Sequence, residues 1–258
     1  MSSGHPAGPP LAYEHAEFLT SDEARPLRIL AEYIEPLTRF QRAGIQDTIV
    51  FFGSARLRPD GPLGQYYAAA VALAGLITHW SKSLPAHGNR FVICSGGGPG
   101  IMEAANRGAS EAGGKTIGLN ISLPHEQQPN PYITPELAFN FHYFFMRKLW
   151  FAHLARALVV FPGGFGTLDE LMEILTLAQT KKLSRRVPVI LYGSDYWNEI
   201  LNFKALLRHG MISPEDLELF EFADEPQAAL RALQARLVPE IAAKTPNFAH
   251  SQRPPSGD

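Results

Sequence analysis

The 258-residue chain has a single cysteine, Cys94, so no disulfide can form within it. The N-terminal "MSSGHPAGPP" shows no basic segment leading into an apolar run, and so no export signal. Together these features set the expectation of a reducing, cytoplasmic location. No apolar run of ~18 residues occurs, so no membrane-spanning helix is expected. Charge of one sign is not in excess: 23 Lys and Arg stand against 25 Asp and Glu, a formal net charge of -2. That balance argues against a strongly basic nucleic-acid-binding surface. Local basic clusters remain at Met146 to Lys148 ("MRK") and Ser184 to Arg186 ("SRR"), the latter read as a solvated helix end.

Metal chemistry has little to draw on. There is no H-E-x-x-H, one cysteine cannot form a thiolate cluster, and the nine histidines are scattered, so no metal and no cofactor is expected. His142 and His153 read as satisfied polar groups near the edge of the core. A G-x-S-x-G nucleophile elbow is missing, and no repeat of solenoid period is present.

What the chain does contain is a 45% hydrophobic fraction, enough for a sizeable core, arranged in alternating strand-like and helix-like segments. Residues 1–20 and 243–258, rich in Pro, Gly and Ser, read as disordered tails around a single domain, 21–242. The domain opens with a helical extension in which Leu27, Leu30, Ala31 and Ile34 recur at helical spacing, with Pro26 suiting its first turn and Pro36 ending or kinking it. Strands follow at about Thr48 to Phe52, at "RFVICS", "KTIGLNI", "ALVVF" and "VPVILYG", with "AFNFHYF" a short extended segment. Helices read at "YYAAAVALAGLITHW", "GIMEAANRGASEAG", "MRKLWFAHLA", "TLDELMEILTLAQTKKL", "DYWNEILNFKALLRHG" and "EPQAALRALQARL". This alternation predicts the α/β class, a parallel sheet with helices on both faces and ligands bound beyond the carboxyl ends of the strands.

Two glycine-rich turns fall at such ends. "CSGGGPGIMEAA" runs from Cys94 to Ala105 and "FPGGFGTLDE" from Phe161 to Glu170. Strand, glycines, helix is the layout of a phosphate cradle, because glycine lets backbone N–H groups approach an anion and a helix N-terminus carries partial positive charge. The plainer reading is a tight turn that needs positive φ. Neither turn fits a dinucleotide site. "GGGPGI" puts Ile101 where G-x-G-x-x-G needs its last glycine, and the next strand ends at Asn120 with no acidic residue for a ribose. "ASEAGGKT" imitates a P-loop, but Ala109 replaces the first glycine and the segment joins a helix to a strand, the reverse of that motif.

Two charged residues lie near the second turn. Glu170 could be the last member of a capping box, Thr167-Leu168-Asp169-Glu170, or a chemical group. Arg147 sits at the start of a helix whose Met146, Leu149, Trp150, His153 and Leu154 are expected to make a buried stripe, and could be an ordinary surface arginine.

"PGGFGTLDE", with "MRK" about fifteen residues earlier and "SGGGPGIMEAA" before both, resembles the LOG family of cytokinin riboside 5'-monophosphate phosphoribohydrolases, proteins often labelled lysine decarboxylases. Residues 162–170 match every fixed position of that family's P-G-G-x-G-T-x-x-E. The resemblance spans roughly Thr48 to Gly210. It implies a Rossmann-like, dimeric enzyme that hydrolyses the N-glycosidic bond of a nucleoside monophosphate, with no cofactor. It implies Arg147 and Glu170 as the catalytic pair, with Gly164, Gly166 and Thr167 on the phosphate and Gly163 beside them. Lys148 matches the motif's second basic residue and follows Met146, also placed in the substrate site. Thr176 and Glu126 match substrate-contacting positions, and Ser54 faces the ligand after the first strand. The N-terminal extension, the stretch from Ser81 to Asn89, the loop from Ser122 to Pro135 and the aromatic "HYFF" before Met146 depart from the short family members. They leave the base open between a cytokinin-type base and adenine. Two further functions are set against hydrolysis: a non-catalytic nucleotide or cofactor carrier on the same fold, and a pyridoxal-phosphate decarboxylase, for which the chain is short. Apolar residues on more than one face of "YYAAAVALAGLITHW" and "LMEILTLAQ" add to the expectation of a homodimer, with full burial inside one core as the alternative.

Overall fold

The computed structural model describes residues 9–84, 89–123, 128–183 and 185–243. In chain order the elements are α1 (Ala16–Thr20), α2 (Arg25–Arg42), β1 (Thr48–Phe52), α3 (Gly64–Ser83), β2 (Val92–Ser95), α4 (Ile101–Glu111), β3 (Thr116–Ile121) and β4 (Ala138–Phe141). Then come α5 (Phe144–Leu154), β5 (Ala155–Val160), α6 (Phe165–Gln179), β6 (Val189–Tyr192), α7 (Ser194–Ile200), α8 (Phe203–Arg208), β7 (Phe220–Ala223) and α9 (Pro226–Ala243). The strands form one parallel sheet of order β4-β3-β2-β1-β5-β6-β7. Central strands such as β1 are buried at every residue, as a sheet covered on both faces requires. Side chains alternate between two cores. Val50 and Phe52 of β1 face Trp150, Leu171 and Trp197 on the layer of α5, α6 and α7. Ile49 and Phe51 face Leu73, Ile101 and Leu233 on the layer of α3, α4 and α9.

Strand order reverses between β1 and β5. From β1 the chain builds outward through β2, β3 and β4, then crosses back to lay β5 on the other side of β1. Loops leaving the carboxyl ends of β1 and β5 therefore diverge and leave a crevice.

Several expectations from the sequence are corrected. Pro36 does not end its helix: it lies inside α2, which runs on to Arg42. A proline removes the N–H that would bond the carbonyl four residues back, and here that carbonyl, Glu32 O, accepts instead from Trp150 Nε1 at 2.9 Å. The stripe Leu27, Leu30, Ala31 and Ile34 points outward; α2 packs on the core through Ile29, Tyr33, Pro36, Leu37 and Phe40. Within the tail expected over 1–20, residues Ala12–Glu14 form a 3-10 turn and Ala16–Thr20 form α1. The final tail lies outside the described residues apart from Ala243. α6 stops at Gln179 because Lys181 takes a left-handed φ of 56°. "DYWNEILNFKALLRHG" is two helices, broken where Asn202 accepts from Ala205 N at 2.8 Å. Arg185 ends no helix: its guanidinium donates to His153 O near the end of α5 and to Ala155 O at the start of β5. In α5 the buried stripe is Met146, Trp150, Phe151 and Leu154, while Leu149 and His153 are exposed.

Candidate functional site

A cleft of about 1040 Å³ opens at the carboxyl ends of β1 and β5, where the strand order reverses. Ser54 N donates to Pro162 O at 3.0 Å, and Phe161 N to Phe52 O at 2.8 Å, so the two strand ends stay in register as they enter their loops. Of the residues singled out in the sequence, Ser54, Arg147, Gly163, Gly164, Gly166, Thr167 and Glu170 line this one space.

The glycine turn after β5 ends in α6 with Gly164 as its N-cap and no side-chain cap bond. A helix start leaves backbone N–H groups without intrahelical partners, and with the macrodipole these favour an anion. A Cβ added at Gly164 or Gly166 would meet nothing within 4 Å, so the turn is open toward the cleft. At Gly163 a Cβ would strike the Thr167 side chain, so that glycine is required by packing.

Glu170 is not a capping residue. The helix begins two residues before Thr167, which leaves Glu170 beyond the first turn, buried at 5% exposure. Its carboxylate lies 3.7 Å from Arg147 Nη2 and 3.6 Å from Lys148 Nζ, both beyond hydrogen-bond length. Burial raises its pKa to about 7, outweighing the two cations that pull it down. Arg147 lies between the rings of Phe144 and Phe151, 5.4 and 5.5 Å from their centroids. Its Nε is buried without a hydrogen-bond partner among the described residues, and burial lowers its pKa despite Glu170 and Asp169.

The helix that carries Arg147 is held by the N-terminal extension. Glu32 of α2 accepts from His142 N at 2.7 Å and Tyr143 N at 3.2 Å, capping α5 from another helix because Tyr143 makes no side-chain cap of its own.

The other candidates sit elsewhere. Lys148 is held by Asp169 at 2.8 Å and Glu173 at 2.7 Å. Burial alone would lower its pKa; those carboxylates raise it. Met146 is buried in the core. Thr176 donates back to Met172 O on the exposed side of α6. Glu126 lies outside the described residues. The cleft also takes in residues that sequence reasoning passed over: Arg56 and Arg58 after β1, Tyr196 and the 92%-exposed Phe165. Tyr196 lines it while its hydroxyl donates to Gly163 O at 2.9 Å. The signal available for the two arginines is "ARLR", one apolar residue between two charged ones directly after a strand.

Among the described residues no helix is long and apolar enough to cross a membrane. The fold resembles that of the solved structure of TM1055, with a TM-score of 0.53 and 21% identity over 73% of this chain and 99% of that one. It also resembles the Moco carrier protein from Chlamydomonas reinhardtii, with a TM-score of 0.50 and 22% identity over 75% and 99%. These likenesses concern the fold. Sequence similarity goes further. A family model described as "Possible lysine decarboxylase" matches residues 102–233, half of the chain. The probable cytokinin riboside 5'-monophosphate phosphoribohydrolase LOGL3 of Oryza sativa subsp. japonica is 30% identical over 206 residues, covering 75% of this chain and 86% of that protein. The cytokinin riboside 5'-monophosphate phosphoribohydrolase LOG3 of Arabidopsis thaliana is 27% identical over 198 residues, covering 75% and 84%. The matching family model and these relatives show that the chain belongs to the LOG family.

Proposed function

We propose that the protein hydrolyses the N-glycosidic bond of a nucleoside 5'-monophosphate, releasing the free base and ribose 5-phosphate. The observation that carries this reading is the pairing of an open, uncapped helix N-terminus with a buried carboxyl whose pKa is about 7, both in one cleft. The 5'-phosphate docks on the turn at Gly164, Gly166 and Thr167, and this remote binding positions the sugar. Cleavage of the C1'–N bond builds positive charge on the ribose, as in glycoside hydrolysis. Glu170, ionised in a fraction of molecules near neutral pH, faces that charge and takes a proton from the attacking water. The water oxygen bonds to C1', the C1'–N electrons leave with the base as its anion, and the departing base takes up a proton from solvent. Arg147 orients the substrate and favours departure of the base by charge rather than by donating a proton, since guanidinium is too weak an acid. The names of the relatives point to cytokinin riboside monophosphates as one substrate class and leave AMP as the other. A homodimer is the proposed assembly. Exposed Phe144, Phe145, Leu149 and Met172 on α5 and α6 support it, and mass in solution measures it.

Incubation with a panel of nucleoside monophosphates tests the reading. Free base and ribose 5-phosphate in equal amounts are expected from at least one member. Tight binding of AMP with no cleavage of any member would overturn hydrolysis and favour a carrier on the same fold.

A further inference from the structure

The two cations nearest the α6 turn both face carboxyl groups. Arg147 faces Glu170, and Lys148 is held among Asp169, Glu170 and Glu173, so two cations meet three carboxyl groups. The helix N-terminus supplies partial charge only. A phosphomonoester brings close to two negative charges at neutral pH, and charge-assisted bonds to guanidinium are the strongest way to hold them.

The loop after β1 carries what is missing. It is fastened at two points, Ser54 N to Pro162 O at 3.0 Å and Ile101 N to Ser54 O at 3.1 Å, and braced within itself by Arg56 N donating to Ser54 Oγ at 3.1 Å. Leu57 is buried in the core at 6% exposure, while its neighbours Arg56 and Arg58 are exposed and line the cleft. The anchoring of Leu57 thus turns both flanking side chains outward on a loop tied directly to the Pro162 turn. Among the described residues neither guanidinium has a carboxylate partner; Glu103, in the adjoining recess, is engaged by the Tyr67 hydroxyl at 2.8 Å.

We infer that Arg56 and Arg58 form the cationic half of the anion site, closing on the ligand's phosphate from across the cleft while the α6 turn holds it from below. The inference rests on the proposed function and assigns to it two recognition residues. It makes the loop after β1, rather than Arg147 or Lys148, the element that distinguishes a phosphorylated riboside from a free one. Both side chains are solvent-accessible, so this discrimination is sensitive to ionic strength.

Calorimetric titration of the full chain with AMP and with adenosine tests it, using wild type, the double variant Arg56→Ala/Arg58→Ala, and Arg56→Lys/Arg58→Lys. Wild type is expected to prefer AMP. The double alanine variant should lose AMP affinity by ~10-fold or more, the scale of hydrogen bonds to charged groups, with adenosine affinity unchanged. The double lysine variant should recover part of the loss, and added salt should weaken AMP binding more in wild type than in the alanine variant. A double glutamine variant keeps the question answerable if the alanine variant does not fold. An alanine or glutamine variant that retains the full AMP-over-adenosine preference overturns the inference and leaves the hydrolase reading standing. A wild type that binds AMP no better than adenosine overturns phosphate recognition altogether, and both readings with it.

Discussion

The glycine turns at 96–100 and 163–166 follow the same recipe: a buried strand, three or more small residues, a helix. Physically they are opposites. At the first, Gly97 and Gly100 have φ of +74° and +69°, and a Cβ on either would run into Asn120 or into the backbone of Ser54 and Ala55. The turn is fastened by neutral groups. Ser95 Oγ accepts from Gly97 N at 3.0 Å and donates to Asn106 Oδ1 at 2.7 Å, and Asn130 Nδ2 donates to Gly97 O, Gly98 O and Asn106 Oδ1. At the second turn Gly164 and Gly166 face open space, and the helix behind them carries a cluster of charges. Glycine serves close packing in one turn and leaves open space beside a helix start in the other. Topology explains the split: the second turn leaves β5 beside the reversal of strand order, whereas the first leaves β2, one strand away, and contributes only Gly96 and the following Met102 to the cleft wall.

Substitutions should separate the two turns. Gly100→Ala forces an alanine into a conformation reserved for glycine and into the Ser54 carbonyl, so unfolding free energy should fall by ~2 kcal/mol or more. Denaturant titration reads this, and an unchanged midpoint would mean that the first turn is not tightly packed.

pH should act only on the second turn, because the network beneath the first contains no titrating group. Glu170 keeps its proton in the folded state up to about pH 7, whereas its ordinary value is 4.5. Between those values the unfolded chain releases a proton that the folded chain retains, so stability drops as pH rises through this window and levels off above it. Glu170→Gln should remove that part of the slope, and the variant should be at least as stable as wild type at pH 8. Parallel pH profiles for the two proteins would contradict the burial of an uncompensated carboxyl.

Gly164→Ala should leave stability within ~0.5 kcal/mol, as expected for a substitution that meets no neighbour. It should weaken AMP binding by ~10-fold, about 1.4 kcal/mol, because its methyl group occupies the space open to the phosphate. Gly166→Ala, inside α6, should raise stability by up to ~1 kcal/mol through helix propensity, with a smaller loss of AMP affinity. If alanine is tolerated for binding at both positions, the phosphate sits elsewhere.

How much of this could be read from the residues depends on the range of the interaction. β1 occupies Thr48–Phe52, as its apolar run indicates, and the strand–helix alternation carries through to a parallel sheet. Periodicity is local and survives in the sequence. Strand order is not local, so the crevice at the end of β5 emerges only from the fold. The same limit explains α2: its Leu27–Ile34 spacing marks an apolar face, but which face meets the core is decided by Glu32 and Trp150, more than a hundred residues apart. Thr167-Leu168-Asp169-Glu170 looked like a cap because helix starts are read from short motifs, whereas α6 starts earlier, at Phe165. β7, four residues long at the sheet edge and only partly buried, has no pattern to detect.

The central claim is that Glu170 does chemistry at the open turn. Its most direct test is ribose 5-phosphate release from saturating AMP, or from a cytokinin riboside monophosphate, by wild type and by Glu170→Gln. Gln keeps the size of the side chain but can neither accept the proton of water nor face the ribosyl cation with negative charge. The account predicts adenine, or the cytokinin base, and ribose 5-phosphate in equal amounts from wild type. It predicts a folded, nucleotide-binding Gln variant slower by ~100-fold or more. A Gln variant that keeps most of the wild-type rate would contradict it.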